Sequence, residues 1–141
     1  MFYFEVKPRC SGKSTRLLNN LMIQHEWNKI TKKYDGFYVI APNYFMNADL
    51  KNRLMNEIGN IDSDIYFLTS YRATRSVLRT NKRYLFFVDE CLYADNFLKN
   101  FDLFKKRLDD CYLTSTCRGN VEISDLKIKF NDIVEYLKNY K

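Results

Sequence analysis

Proline and glycine are scarce in this chain, 2 and 4 of 141 residues. That excludes collagen-like, low-complexity and Pro/Gly-rich disordered proteins. Histidine is represented by His25 alone, and the four cysteines (Cys10, Cys91, Cys111 and Cys117) form no C-x-x-C pair. Without four close-spaced ligands a structural zinc is not expected. The cysteines read as reduced, mostly buried thiols of a cytosolic protein. No apolar run approaches the roughly 18 residues that would span a bilayer. The opening "MFYFEVKPRC" lacks the basic segment and long apolar core of a signal peptide. The expected location is the cytoplasm, with no membrane partner.

Apolar residues make up 46% of the chain and aromatics 16%. A chain of this length forms one domain, 1–141, that buries its own core without disulfides. The net charge of +6 suits a nucleic-acid partner, a nucleotide pocket or a plain solvated basic surface.

Apolar runs and helical spacing alternate along the sequence. "FYFEV" (2–6), "FYVIAP" (37–42), "DIYFLTS" (64–70) and "YLFFVDE" (84–90) read as buried strands. "CYLTSTCRG" (111–119) begins as a strand and ends in small hydroxyl residues. Helical spacing covers 14–33, 47–59 and 93–110, with a short basic helix or loop at 72–83. "LKIKF" (126–130) alternates like an edge strand, and 131–140 reads as a final helix. Alternating strands and helices predict an α/β fold: a mostly parallel sheet between two helical layers.

The segment "KPRCSGKST" (7–15) holds most of a phosphate-loop pattern, G-x-x-x-x-G-K-[ST]. Gly12, Lys13 and Ser14 fill its second half, and Lys7 stands where the first glycine belongs. Pro8, with its fixed φ, would help the loop enter differently. A strand, a tight turn and a helix follow in the order such a loop needs, so that backbone N–H groups and the helix N-terminus face an anion. Pro8, Arg9, Cys10, Ser11, Gly12, Lys13, Ser14 and Thr15 are the candidate nucleotide-binding residues. Lys13 would reach the β- and γ-phosphates, and the Ser14 hydroxyl would ligate Mg²⁺. Arg9 is either a surface charge or a guanidinium for the γ-phosphate. Alone, G-K-S is as compatible with an ordinary strand-to-helix turn carrying an exposed lysine.

"LFFVDE" (85–90) decides between them. Asp89 ends a buried strand, where a carboxylate serves Mg²⁺. Glu90 follows, where a carboxylate polarises an attacking water. Glu90, Lys13 and Arg9 are therefore the expected catalytic residues, and Ser14 and Asp89 the expected metal ligands. Thr114, Ser115 and Thr116 end the next predicted strand, either as γ-phosphate sensors or as a Ser/Thr turn. Thr116 is the one taken as nucleotide-binding, and Arg118 is a candidate sensor or inter-subunit finger. His25 reads as a satisfied or exposed side chain rather than a ligand, and Trp27 as core or interface.

"PRCSGKST", "FYVIAPNY", "LFFVDE" and "LTSTCRG" together resemble the ATPase domain of viral DNA-packaging terminase large subunits. In those proteins they correspond to a deviant Walker A loop with an arginine at the place of Arg9, an apolar-Ala-Pro strand end, a Walker B strand and a coupling motif. The resemblance runs from about residue 2 to 119. It implies a P-loop NTPase fold of the additional-strand, catalytic-glutamate class: a three-layer α-β-α domain that hydrolyses ATP with Mg²⁺ and moves nucleic acid, expected to be double-stranded DNA. It also implies a homo-oligomeric ring and, for a viral protein, the host cytoplasm. The chain has no room for the nuclease domain of those enzymes and starts at its first strand, without their adenine-contacting segment, so nuclease activity is not expected. A minimal viral or phage motor subunit fits better than a complete terminase.

Two alternatives stand beside the motor. "PRCSGKSTRLL" is also similar to the phosphate loop of thymidine kinases, although the cysteines lack that family's zinc spacing. A nucleotide-switched interaction module with little turnover is the other. The motor reading gives Arg72, Arg75, Arg79, Lys82 and Arg83 a salt-sensitive role on phosphates; otherwise they form a solvated helix face.

Overall fold

In a computed structural model, residues 2–7 and 10–116 are described. They form an α/β domain around a five-stranded parallel sheet. The strands are β1 (Phe2–Lys7), β2 (Gly36–Ile40), β3 (Ile65–Leu68), β4 (Tyr84–Val88) and β5 (Cys111–Thr116). Their spatial order is β1-β5-β4-β2-β3. Strand β5 is thus inserted between β1 and β4. The expected edge strand at 126–130 and helix at 131–140 lie outside the described residues.

Side-chain alternation divides the core into two clusters, one on each sheet face. On one face Phe37, Val39, Leu85, Phe87 and Tyr112 pack against Leu17, Leu18 and Leu21 of helix α1 (Lys13–Thr31) and Leu50 and Leu54 of α2 (Tyr44–Ile58). On the other, Tyr38, Ile40, Phe86, Val88, Cys111 and Leu113 meet Leu78 of α3 (Tyr71–Leu78) and the aromatic segment that follows β4. Every residue of β2, β4 and β5 is buried. Both faces of the sheet are covered, which is why these strands read as continuous apolar runs rather than alternating ones. Each fully buried Phe contributes about 1.5–3 kcal/mol by leaving water.

Helix ends follow local chemistry. α1 stops at Lys32, which takes a left-handed φ of 52° and donates its N–H to the Asn28 carbonyl. The Asn28 side chain then grips the backbone of Tyr34 at 2.8 and 3.0 Å, setting the entry into β2. α2 begins at Tyr44, earlier than the expected 47, because Asn43 directly after Pro42 is its cap: its side-chain oxygen accepts from Met46 N–H at 2.9 Å.

The single amphipathic helix expected over 93–110 is not present. The segment is a 3₁₀ turn (Cys91–Tyr93), two single-turn helices, α4 (Asp95–Leu98) and α5 (Phe101–Phe104), and a 3₁₀ stretch (Lys105–Asp110). Asn100 makes the first break. It is fully buried, and its amide donates to the carbonyls of Asn96 and Tyr71 at 2.8 and 3.0 Å. Arg107 makes the second, with a non-helical φ of −125°; its guanidinium collects the carbonyls of Leu78, Thr80 and Lys82. Broken in this way, the segment seats Leu92, Phe97, Phe104 and Leu108 together on the sheet. No helix among the described residues is long and apolar enough to cross a membrane.

Candidate functional site

In a parallel sheet all strands end on the same edge, so residues that follow β1, β4 and β5 meet there. The register sets Lys7 of β1 beside Thr116 of β5, and Val88 of β4 beside Leu113. The loop after β1, the acids after β4 and the hydroxyls of β5 consequently share one corner.

The loop turns into α1 at Gly12, whose φ of +79° is left-handed and suits glycine. Cys10 is also left-handed, at 59°. Lys13 opens the helix and is buried, and its ammonium pairs with Glu90 Oε1 at 2.9 Å. One residue on, the Ser14 hydroxyl donates to Asp89 Oδ2 at 2.9 Å across 75 positions of sequence. Thr114 donates to the other oxygen of Asp89, Oδ1, at 2.7 Å. Glu90 receives the Thr116 backbone N–H at 3.1 Å and the Thr116 hydroxyl. Both carboxylates are therefore gripped from two sides, by the loop and by β5.

Asp89 and Glu90 are 2% and 4% exposed, and for Glu90 these bonds decide the charge. Burial pushes the Glu90 carboxyl up, but the Thr116 hydroxyl, the Lys13 ammonium and the Thr116 N–H more than offset it, and the net shift is downward. Glu90 is thus an ionised carboxylate, held in a left-handed conformation at φ 53°. Such a backbone angle is uncommon outside glycine and concentrates at functional sites.

The structure joins five of the expected residues: Lys13, Ser14, Asp89, Glu90 and Thr116. It gives Thr116 a partner not anticipated from sequence, since its hydroxyl serves Glu90. Ser115 faces away from this corner, and its buried hydroxyl has no hydrogen-bond partner among the described residues. Cys10, Ser11, Gly12, Lys13, Ser14 and Thr15 line a cleft of about 340 Å³ together with Arg53. Pro8, Arg9 and Arg118 lie outside the described residues. Cys91 and Cys111 are buried free thiols and Cys10 is exposed; Cys117 is outside the described residues.

Three contributors escaped the sequence reading. Arg16 donates to Glu5 Oε1 at 2.9 and 3.2 Å and to the Ser11 carbonyl at 2.6 Å, tying the loop to β1. Glu5 is buried and also accepts from Tyr3 at 2.7 Å. Burial raises its carboxyl, and the Tyr3 hydroxyl and Arg16 guanidinium turn the net shift downward. A glutamate inside "FYFEV" was the available signal, because a buried acid requires a partner. Arg53, on α2, donates to Thr15 Oγ1 at 2.8 Å, and no local pattern marks it.

The basic stretch is smaller as a surface than as a sequence. Arg83 is paired with Asp110 at 3.0 Å and Arg75 with Asp102 at 3.5 Å. Arg72, Arg79 and Lys82 are exposed. His25 lies between Asp62 and Asp64, at 3.4 and 3.0 Å, with its ring edge-on to Phe37. Trp27 is 59% exposed and so is not core.

The Ser14 and Asp89 oxygens form a hard donor set of the kind that suits Mg²⁺. The first-turn N–H groups of α1 have no intrahelical acceptors, and with Lys13 they make the cleft a place for an anion. No protein-family model matches the chain, and no curated protein matches it.

Proposed function

We propose that the chain is a P-loop ATPase: it binds a nucleoside triphosphate with Mg²⁺ and hydrolyses it, as a subunit of a nucleic-acid motor. The observation that carries this reading is the pairing of adjacent acids with adjacent loop residues, Asp89 with Ser14 and Glu90 with Lys13, both at 2.9 Å. An ordinary strand-to-helix turn has no reason to place its first two helical side chains on two buried carboxylates of another strand. The insertion of β5 between β1 and β4 agrees with the additional-strand class that the motifs resemble.

Each residue has a definite task in this reading. The N-terminal turn of α1 and Lys13 bind the phosphates. Ser14 and Asp89 would hold Mg²⁺, which would supply charge neutralisation between the phosphates. Lys13 must leave Glu90 for the phosphate. That lifts one contact from Glu90 Oε1, while the Thr116 hydroxyl on the same oxygen and the Thr116 N–H on Oε2 keep the carboxylate in place. An ionised Glu90 then orients and deprotonates a water. Exposed Arg72, Arg79 and Lys82 are the side chains available for nucleic-acid phosphates, since Arg75 and Arg83 are held by acids.

The test is ATP turnover by the purified protein, with and without double-stranded DNA, beside Lys13→Ala and Glu90→Gln. Turnover that rises with DNA and is lost in both variants supports the motor. Binding without turnover moves the assignment to a nucleotide switch, and turnover only with a nucleoside acceptor moves it to a kinase.

A further inference from the structure

One residue lining the loop cleft comes from outside the loop. Arg53 projects from α2, and its Nη2 donates to Thr15 Oγ1 at 2.8 Å. Among the described residues that line the cleft, it is the sole contributor beyond positions 10–15. Its side chain is 39% exposed, so it borders both the cleft and solvent. Asp49, its ion-pair partner among the described residues, is one turn earlier on the same helix, 4.0 Å away and 69% exposed. That contact is beyond hydrogen-bond distance and screened by water, so it holds the guanidinium weakly. The bond to Thr15 uses one donor of a fork that carries five.

The two cations of the cleft are engaged by different elements. The Lys13 ammonium is directed to Glu90, on the side of β4 and β5. Arg53 is at Thr15, on the side of α2. A polyphosphate lying along the loop has its reactive, terminal phosphate at the carboxylates. Its nucleoside-proximal phosphate then falls at the other end, beside Thr15 and Arg53. A guanidinium presents parallel N–H donors to phosphate oxygens and is suited to that contact.

We propose that Arg53 is a phosphate-binding residue of the nucleotide site, contacting the phosphate attached to the nucleoside. The proposal rests on the phosphate-loop reading above. It predicts that Arg53 contributes equally to nucleoside diphosphate and triphosphate, which share that phosphate, whereas Lys13 favours the triphosphate.

The experiment measures ADP and ATP binding by calorimetry to the wild type, Arg53→Ala, Arg53→Lys, Thr15→Ala and Lys13→Ala. Arg53→Ala should weaken both nucleotides about tenfold. Arg53→Lys should recover part of the loss, and Thr15→Ala should lose less than Arg53→Ala. Unchanged binding by Arg53→Ala, with a wild type that binds, overturns the proposal and leaves the phosphate loop standing. A loss confined to ATP overturns the assigned phosphate. Equal losses in Thr15→Ala and Arg53→Ala would mean that the guanidinium only steadies Thr15, and would overturn direct contact. A wild type that binds neither nucleotide overturns the phosphate-loop reading itself, and Arg53 with it. Recovery in Arg53→Lys, with melting temperatures matching the wild type, separates these results from misfolding.

Discussion

Removing the Lys13 ammonium in the nucleotide-free protein should destabilise the fold through Glu90. The pair is 2.9 Å apart, with side chains 10% and 6% exposed. Deleting one partner of a buried ion pair typically costs about 3–5 kcal/mol, because the remaining charge loses its compensation. Glu90 keeps the Thr116 N–H and hydroxyl, which places Lys13→Met at the low end, about 3 kcal/mol. Glu90→Gln should cost less, about 1 kcal/mol, because Lys13 has a flexible stem and borders the cleft, where water can solvate its ammonium. The double variant should then lie about 2 kcal/mol below the sum of the singles. A domain of this size has about 7–20 kcal/mol of stability, so every variant stays folded and measurable. Urea titration at neutral pH, extrapolated linearly to water, gives the cycle. The pH dependence supplies a second check. Glu90 titrates lower in the folded state than the ordinary glutamate value of 4.5. Its contribution is therefore present above that value and disappears as pH falls through the folded one. The penalty of Lys13→Met should shrink over the same descent, as Glu90 becomes neutral. Additivity of the two single changes within about 0.5 kcal/mol would refute the pairing.

Other outcomes follow from the same corner and from the core. Thr116→Val removes the hydroxyl that holds Glu90 but keeps the backbone N–H; ATP turnover should fall about tenfold in kcat with KM nearly unchanged, the mark of a positioning residue rather than a phosphate contact. Gly12→Ala forces a left-handed φ of +79° on a residue with a Cβ, which would sit 3.3 Å from Arg16 Nη1. It should cost about 1–2 kcal/mol by denaturant titration and lower nucleotide affinity as Arg16 is displaced from Ser11. Tyr34 and Tyr38 are each pushed up to about 12 from 10.0, chiefly by burial. Their contribution to stability is complete below pH 10 and is lost as pH rises toward about 12, so the part of the phenolate absorbance that Tyr34→Phe and Tyr38→Phe remove should coincide with unfolding rather than precede it.

What the sequence made legible and what it hid divide along physical lines. Two of the strands with every residue buried, β2 and β4, were visible as apolar runs because both sheet faces are covered. Lys13, Ser14, Asp89 and Glu90 were visible because a phosphate loop and its acids are each local in sequence. The order of the sheet was not, since nothing in "CYLTST" states that β5 slips between β1 and β4. That placement brings Thr114 and Thr116 under the two carboxylates, so their roles could be narrowed to hydroxyl chemistry but not to a partner. The segment 93–110 failed for a different reason. Its Phe and Leu spacing satisfies a helix, and helical periodicity reports only which side chains seek one face. It does not report that Asn100 and Arg107 have carbonyls of neighbouring segments to bind, and a buried amide or a half-buried guanidinium that meets such acceptors outweighs the hydrogen bonds of one more helical turn. Arg53 belongs to the same class as those two. An arginine on a helix surface is unremarkable in sequence until tertiary packing sets a Thr15 hydroxyl 2.8 Å from its guanidinium. Polar side chains that act across elements are thus the part of a site that local pattern conveys least. Here they are the residues, Thr116, Arg16 and Arg53, on which the geometry of the loop depends.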